Sequence, residues 1–267
     1  PAFSTIVLSG AEGTDIGQTA VFTTIKGKLN VDEAASFDDN VTIGKNTILE
    51  SHVVVKNHTT IGNNNRIFQF ASIGEDPQDL KYNGEGTKLV IGDNNIFREY
   101  CTVNRGTVTG YHETKIGSDN LFMAYSHIAH DCIIKNNCIL SNAASLAGHV
   151  RLGDYVSLGG FTLVHQFCDI GDYAFSGLGT VISRDVTPYT LVAGNHARAY
   201  KINTAGLKRK GFPDDVILSL EKTFKLFIKS KSNREEVLES FKKLNILCSE
   251  VDNFISFINN SERGVTR

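Results

Sequence analysis

Four of the eight histidines, His127, His130, His149 and His165, fall in one region together with Gly148 and Gln166. These residue types suit acyl transfer. A neutral imidazole can take the proton from an attacking hydroxyl, an effect worth roughly 10²–10⁴-fold. A main-chain N–H beside the acyl carbonyl can stabilise the oxyanion by on the order of 3 kcal/mol per donor. Glycine lets a substrate approach that main chain closely. Surface histidines stacked only for packing would give the same residues, so the elements that carry them must decide.

Those elements repeat every six residues. Steps of six from Ile116 give Phe122, Ile128, Ile134, Leu140, Leu146, Leu152, Leu158, Val164, Ile170, Ser176 and Ile182, and eleven of these twelve positions are aliphatic or aromatic. The residue four places on is mostly small, as at Ser126, Cys132, Cys138, Ala144 and Ala174. A helix needs a period near 3.6 and a half-buried strand a period of 2, whereas six fits a short strand plus a turn wound into a solenoid. Three hexads make one triangular coil of eighteen residues, and parallel stacking spaces the coils by about 4.8 Å. Gly148 then stacks on His130, Gln166 continues that column, and His149 stacks on Asp131. None of the four histidines takes an inward phase, so one outer edge presents an imidazole, an approachable amide and a glutamine.

The formal net charge of −2 makes no general case for nucleic-acid binding. No run of eighteen apolar residues argues for a spanning helix. The N-terminus shows no charged-then-apolar leader, so we expect a cytosolic protein; the start at Pro1 is compatible with trimming of the first residues. Cys132, Cys138 and Cys168 sit at the small phase of the repeat and Cys101 at the same phase of an earlier register, where a compact thiol fits a narrow coil. With no CxxC pair, we expect buried free thiols rather than disulfides or a zinc site. Cys248 stands apart near the C-terminus.

Along the chain, residues 1–24 are poorly patterned, and a hexad register runs from Ile25 through Val31, Phe37, Ile43, Leu49, Val55, Ile61, Ile67 and Ile73. Residues 74–90 interrupt it, the apolar phase returns at Ile91, and residues 107–115 interrupt it again. Loops thrown out of a solenoid leave its core intact and often carry function. We therefore expect a solenoid over 1–190, with site loops at 74–90 and 107–115, and a helical domain over 191–267. Asp214 or Asp215 is expected to cap a helix whose inner face holds Leu220, Phe224, Phe227 and Ile228; Asn233 a second with Val237, Phe241 and Leu244; and Ser249 a third with Val251, Ile255 and Ile258.

At His127-Ile128-Ala129-His130-Asp131-Cys132 the chain resembles a specific family, the acyl-carrier-protein–UDP-N-acetylglucosamine O-acyltransferases of lipid A biosynthesis. The resemblance extends through Gln69-Phe70-Ala71-Ser72-Ile73-Gly74, Gln78-Asp79-Leu80-Lys81-Tyr82, Leu146-Ala147-Gly148-His149-Val150, His165-Gln166-Phe167-Cys168 and Gly206-Leu207-Lys208-Arg209-Lys210-Gly211-Phe212. It covers about residue 40 to the C-terminus. It implies a left-handed parallel β-helix, a homotrimer with active sites in clefts between subunits, and no cofactor. The donor would be an acyl carrier protein bearing a 3-hydroxyacyl chain and the acceptor a UDP-sugar. By the same resemblance His130 is the general base, Asp131 its orienting partner, and Gly148 the oxyanion donor. Asp79, Lys81, His127, His149, His165 and Gln166 would contact sugar or thioester, and Asn203 and Arg209 the nucleotide.

Three positions depart from that family. Asn104 replaces its usual histidine and Ala205 its usual glutamate, which leaves the acceptor open between UDP-N-acetylglucosamine and its 3-amino analogue. Leu178 stands where the family sets acyl-chain length, about 13 Å of solenoid rise beyond His130, and its branched side chain points to a chain nearer 3-hydroxydecanoyl than 3-hydroxymyristoyl. An N-acyltransferase of the same pathway is the nearest alternative. A catalytically silent scaffold, or a zinc enzyme resembling the carbonic-anhydrase-like solenoids with three metal-binding histidines, is a more distant one. Basic residues crowd 198–231, namely Arg198, Lys201, Lys208, Arg209, Lys210, Lys222, Lys225, Lys229 and Lys231. Such a patch would steer an acidic carrier protein.

Overall fold

A computed structural model describes residues 29–31, 35–37, 40–228, 236, 239 and 248–267, the first two stretches and residue 228 by their backbone alone. The chain winds into a triangular prism of short parallel strands. One face runs through His127–Ile128, Ser145–Leu146, Leu163–Val164 and Val181–Ile182. A second runs through Ile133–Ile134, Arg151–Leu152 and Asp169–Ile170. The third runs through Leu121–Phe122, Ile139–Leu140, Ser157–Leu158 and Phe175–Ser176.

The six-residue phase works because each strand turns one apolar side chain inward and the turn then supplies a small one. Phe122, Ile128, Ile134, Leu140, Leu146 and Leu152 are fully or almost fully buried, as are Cys132, Cys138, Ala144 and Val150 between them. Phe97 and Phe122 stack inside the prism with centroids 4.7 Å apart. The polar members of the inner column are satisfied along it. Asn65 Oδ1 accepts from Asn95 N at 2.8 Å, Asn95 Oδ1 from Asn120 N at 3.0 Å, and Asn120 Oδ1 from Cys138 N at 2.7 Å. Cys101, Cys132, Cys138 and Cys168 are buried free thiols that burial pushes up to about 12.

Corners repeat with the same period. Asn46, His52, His58, Asn64 and Phe70, then Tyr125, Asp131, Asn137, Ala143, His149, Tyr155, Phe161, Phe167 and Tyr173 all have φ between 55° and 65°. Only this left-handed conformation turns the chain through the corner within the hexad, and Asn, Asp and His tolerate it best among side chains with a Cβ.

Two loops leave the prism between faces. Thr102 pairs with Ser72, a step of 30, and with His127, a step of 25, so relative to the regular 18 the loops insert 12 and 7 residues. Consequently Ile91 stacks on Ile61 rather than on Ile73.

The hexad register read from Ile25 carries the parallel solenoid only from Ile43 on, where Ile43, Leu49 and Val55 stack on Ile61, Ile67 and Ile73. Leu29–Val31 and Ala35–Phe37 pair antiparallel, with Thr47–Leu49 and Val41–Ile43. The phase of Val31 and Phe37 sets which side chains share a face but not chain direction, and strands that fold back cover the open edge of the first coil.

At the other end Thr190–Ala193 stacks parallel on Phe175–Ser176, and Arg198–Ile202 returns antiparallel beside it. Helices α1 (Thr204–Arg209), α2 (Asp214–Ile228) and α3 (Ser249–Asn260) follow. They bury Leu207, Ile217, Leu220, Phe224, Phe227, Val251, Phe254 and Ile258. Helix α2 begins at Asp214 with both acids in its first turn, where they favour the macrodipole. Ser249 does not cap α3: Cys248 holds the cap position in an extended conformation, and Ser249 Oγ bonds the Glu250 carboxylate instead. Glu236 and Glu239 are helical, as expected after Asn233, whereas Val237, Phe241 and Leu244 of that helix and the basic residues Lys229 and Lys231 lie outside the described residues. Asn253 ties α3 to the prism through Asp172 Oδ2 at 3.1 Å and Tyr189 Oη at 3.0 Å.

Candidate active site

One corner of the prism, where the His127 face turns into the Arg151 face, carries Asp131, His149 and Phe167 in the left-handed position with φ of 59°, 63° and 61°. Asp131 has no exposed side-chain surface. Its carboxylate is filled by the 107–112 loop: Thr107 N lies 3.1 Å from both oxygens, Thr107 Oγ1 donates to Oδ2 at 2.7 Å, and Tyr111 N donates to Oδ1 at 2.8 Å. Burial works to raise this carboxyl, but the hydrogen bonds from His130, from the Thr107 side chain and from the Thr107 and Tyr111 amides outweigh it and hold it below its ordinary value. The carboxylate is therefore ionised and accepts only. His130 Nδ1, 2.8 Å from Oδ2, must be the donor, so in the neutral ring the lone pair is on Nε2.

Gly148 lies one coil above, against that lone pair. A Cβ built on Gly148 would stand 2.6 Å from His130 Cε1 and 2.8 Å from Nε2. The Gly148 N–H has no acceptor among the described residues. His149 packs edge-on to His130 at 5.2 Å and stacks on Phe167 at 4.4 Å. Burial, above all, lowers the His149 imidazole from its ordinary value. His127, lowered by burial and then by His130, hydrogen-bonds Thr102 Oγ1 through Nδ1 at 2.7 Å. His165 and Gln166 are exposed on the next coil.

The first loop leaves the prism at this same corner. Asp79 Oδ1 accepts from Lys81 N at 3.0 Å, Lys81 is exposed, and the charge of Asp79 is felt at His149. Arg105, 2% exposed, anchors the loop. Its guanidinium donates to Asn57 Oδ1 and the Gly74 carbonyl, each at 2.7 Å, to Tyr82 Oη at 3.0 Å, and to the Asp76 carboxylate. The neighbouring Asn104 is buried; its Nδ2 donates to the Asp76 carbonyl at 2.7 Å and its Oδ1 has no protein partner.

The remaining predicted residues stand on other corners. Asn203 caps α1, accepting from Gly206 N at 3.2 Å, and ties it to the Tyr173 carbonyl at 3.1 Å on the Tyr155–Tyr173–Tyr189 edge. Arg209 is exposed on the same helix, its Nε donating to the Ala205 carbonyl at 3.3 Å. Leu178 stands 78% exposed on the third edge, above Gly160 and beside Phe161 and Gly179. Within one chain, therefore, the residues expected to serve as base (His130), nucleotide contacts (Asn203, Arg209) and acyl ruler (Leu178) occupy three different edges.

The donor atoms of His130, Asp131 and His149 lie within 4.8 Å of one another, the one such group of three among the described residues. Four donors already occupy Asp131, and His149 Nε2 stands 3.8 Å from it, so these atoms serve a carboxylate–imidazole pair better than a tetrahedral zinc centre with ligands near 2.0–2.2 Å.

Sequence reasoning missed the residues that support the pair. Thr107, Gly110 and Tyr111 wrap Asp131, and a side chain on Gly110 would strike its carboxylate at 2.4 Å. Their place inside an interrupted stretch was the only signal. Arg263, at 2.8 Å from His165, gave none.

A prism of parallel hexads with an oriented imidazole on its outer corner defines a hexapeptide-repeat acyltransferase. Residues 113–148 match the family described as bacterial transferase hexapeptide (six repeats), and residues 185–266 match UDP N-acetylglucosamine O-acyltransferase, domain 2. A relative from Pseudomonas putida, the acyl-[acyl-carrier-protein]–UDP-N-acetylglucosamine O-acyltransferase, is 50% identical over 203 residues, which is 76% of this chain and 79% of that one. The structure of LpxA from Acinetobacter baumannii superposes with a TM-score of 0.83 at 47% identity, covering 85% of this chain and 89% of that one. The UDP-N-acetylglucosamine acyltransferase LpxA from Bacteroides fragilis gives 0.82 at 36% identity, over 84% and 88%. This chain belongs to the acyl-[acyl-carrier-protein]–UDP-N-acetylglucosamine O-acyltransferase family, and its β-helix is left-handed.

Proposed function

We propose that this protein transfers an (R)-3-hydroxyacyl group from acyl carrier protein to the glucosamine 3-hydroxyl of UDP-N-acetylglucosamine, the first step of lipid A biosynthesis. The observation that carries the mechanism is the His130 pair: Nδ1 donates to a buried carboxylate while the Cε1–Nε2 edge of the ring packs against Gly148. His130 Nε2 takes the proton from the sugar hydroxyl as its oxygen attacks the thioester carbonyl. Asp131 holds the ring and stabilises the imidazolium. The Gly148 N–H donates to the oxygen that becomes negative in the tetrahedral intermediate. When the intermediate collapses the C–S bond breaks, and the thiolate leaves with the proton held on His130. His127, His149, His165, Gln166, Asp79 and Lys81 line the acceptor and thioester on that corner.

A homotrimer is part of this reading. Asn203, Arg209 and Leu178 join His130 in one cleft only if a second copy brings its own edge to that corner. Tyr100, Tyr125, Phe161 and Leu163, each at least 44% exposed, form an apolar band that supports such contact. The described basic residues of 198–225 are assigned to docking the acidic carrier protein, and we place the reaction in the cytoplasm. No described helix is long and apolar enough to cross a membrane.

The test is a His130→Ala variant assayed with a ladder of acyl carriers against UDP-N-acetylglucosamine and its 3-amino analogue. Loss of roughly 10²-fold or more in kcat in a folded trimer is the expected result. A fully active variant would reject general-base catalysis, and preference for the amino sugar would replace the O-acyl reading.

A further inference from the structure

The last residues of the chain reach the catalytic corner. Residues 261–266 lie along the final coil: Gly264 O accepts from Asp185 N at 3.1 Å, Thr266 N donates to Asp185 O at 2.7 Å, and Ser261 Oγ donates to Asp185 Oδ2 at 2.7 Å. Val265 and Asp185 form a parallel bridge. This strap aims Arg263 at the exposed His165. Arg263 Nε donates to the Ser183 carbonyl at 2.8 Å, and Nη2 stands 2.8 Å from His165 Nδ1.

His165 Nδ1 also lies 3.1 Å from the Gln166 carbonyl. Both contacts cannot be hydrogen bonds at once. The carbonyl needs a proton on Nδ1, whereas the guanidinium carries only donors and needs a lone pair there. The shorter contact is to the group that is always charged, and a charged donor makes the stronger bond. Nδ1 therefore accepts, and the proton of the neutral ring sits on Nε2.

We propose that Arg263 is a positioning residue: it holds His165 in the Nε2–H form, so that the ring presents a donor to an oxygen of the bound substrate. Without Arg263 the Gln166 carbonyl is the remaining partner. The proton then moves to Nδ1, Nε2 becomes an acceptor, and the contact to a substrate oxygen turns repulsive. The proposal rests on the reading that His165 touches substrate, but the tautomer can be read independently of activity.

Diethyl pyrocarbonate attacks a bare imidazole nitrogen, so its labelling of His165, followed by peptide mass spectrometry with the exposed His196 as internal reference, reports the Nε2 lone pair. In the full-length protein Arg263→Leu is expected to raise labelling of His165 by roughly tenfold, the population shift that follows loss of a charged-donor hydrogen bond. Arg263→Lys, which keeps a cationic donor, should restore slow labelling. The same Leu variant should lower kcat/KM by roughly tenfold in the parent and leave it unchanged in a His165→Ala background. Unchanged labelling in Arg263→Leu, with melting temperature and oligomer size as folding controls, overturns the proposal whatever the activity. Equal kcat/KM losses in both backgrounds reduce the strap to a structural role and overturn it as well. Altered labelling with a fully active His165→Ala would instead overturn the substrate role of His165, leaving the acyl transfer assigned to His130 untouched.

Discussion

A side chain on Gly148 cannot coexist with the present position of His130: its Cβ would stand 2.8 Å from Nε2. The ring edge that carries the proposed base thus packs directly against Gly148, one coil spacing above. Gly148→Ala is expected to push the imidazole off its bond to Asp131 and lower kcat by about 10²–10³-fold. Gly160→Ala is the control, since the nearest atom to its Cβ is the flexible Leu178 Cδ1 at 3.2 Å. Steady-state rates beside melting temperatures separate the two; equal losses would mean that any corner methyl disrupts the prism.

Arg105 acts on the same corner through the loop that carries Asp79 and Lys81. Its partner Asp76 is 57% exposed, so the ion pair itself adds little stability; the larger effect is the fixing of Asn57, the Gly74 carbonyl and Tyr82. Arg105→Leu should cost about 1–3 kcal/mol in unfolding free energy. It should raise KM for the nucleotide sugar far more than it lowers kcat. Arg105→Lys should recover only part of this, because an ammonium cannot fork between the partners. Urea melts and substrate titrations test both halves.

Leu178 projects from its edge with Gly160 beneath it. Leu178→Gly is expected to shift preference towards acyl chains longer by several methylenes, at about 0.8 kcal/mol of apolar burial for each one admitted. The relative kcat/KM across a ladder of 3-hydroxyacyl carriers reads this directly. An unchanged ladder would remove Leu178 as the ruler.

His127 and His149 are both held below the ordinary imidazole value of about 6.5, chiefly by burial. The folded protein keeps them neutral while the unfolded chain takes up their protons as pH falls through about 6.5. Stability present above that value is therefore lost between neutral pH and their lower folded values. Asp131 adds a second loss at lower pH, as its depressed folded value is passed. Melting temperature should fall steadily on acidification from pH 7. His149→Asn, whose side chain suits φ of 63°, should flatten the histidine part of that slope. An identical slope would assign the acid lability elsewhere.

The period of six in the sequence determined the prism, its inward residues and the four buried thiols, because each hexad closes one strand and one corner by local backbone geometry. The step of eighteen placed Gly148 on His130 and His149 on Asp131, because no insertion falls between them. Corner residues such as Asn137, Asp131 and His149 carried a further signal, the left-handed φ they share. Wherever the chain leaves the coil, the arithmetic stops. The hydrogen bonds from Thr107 and Tyr111 that fill Asp131 depend on how seven inserted residues fold back. The antiparallel strands before Val41 keep the hexad phase while reversing direction. Only the tertiary structure brings Arg263 to His165, 98 residues away, and sets Asn203 on the Tyr173 edge. Local periodicity fixes which side of the chain a residue faces; the return path of loops and termini fixes which residues it meets.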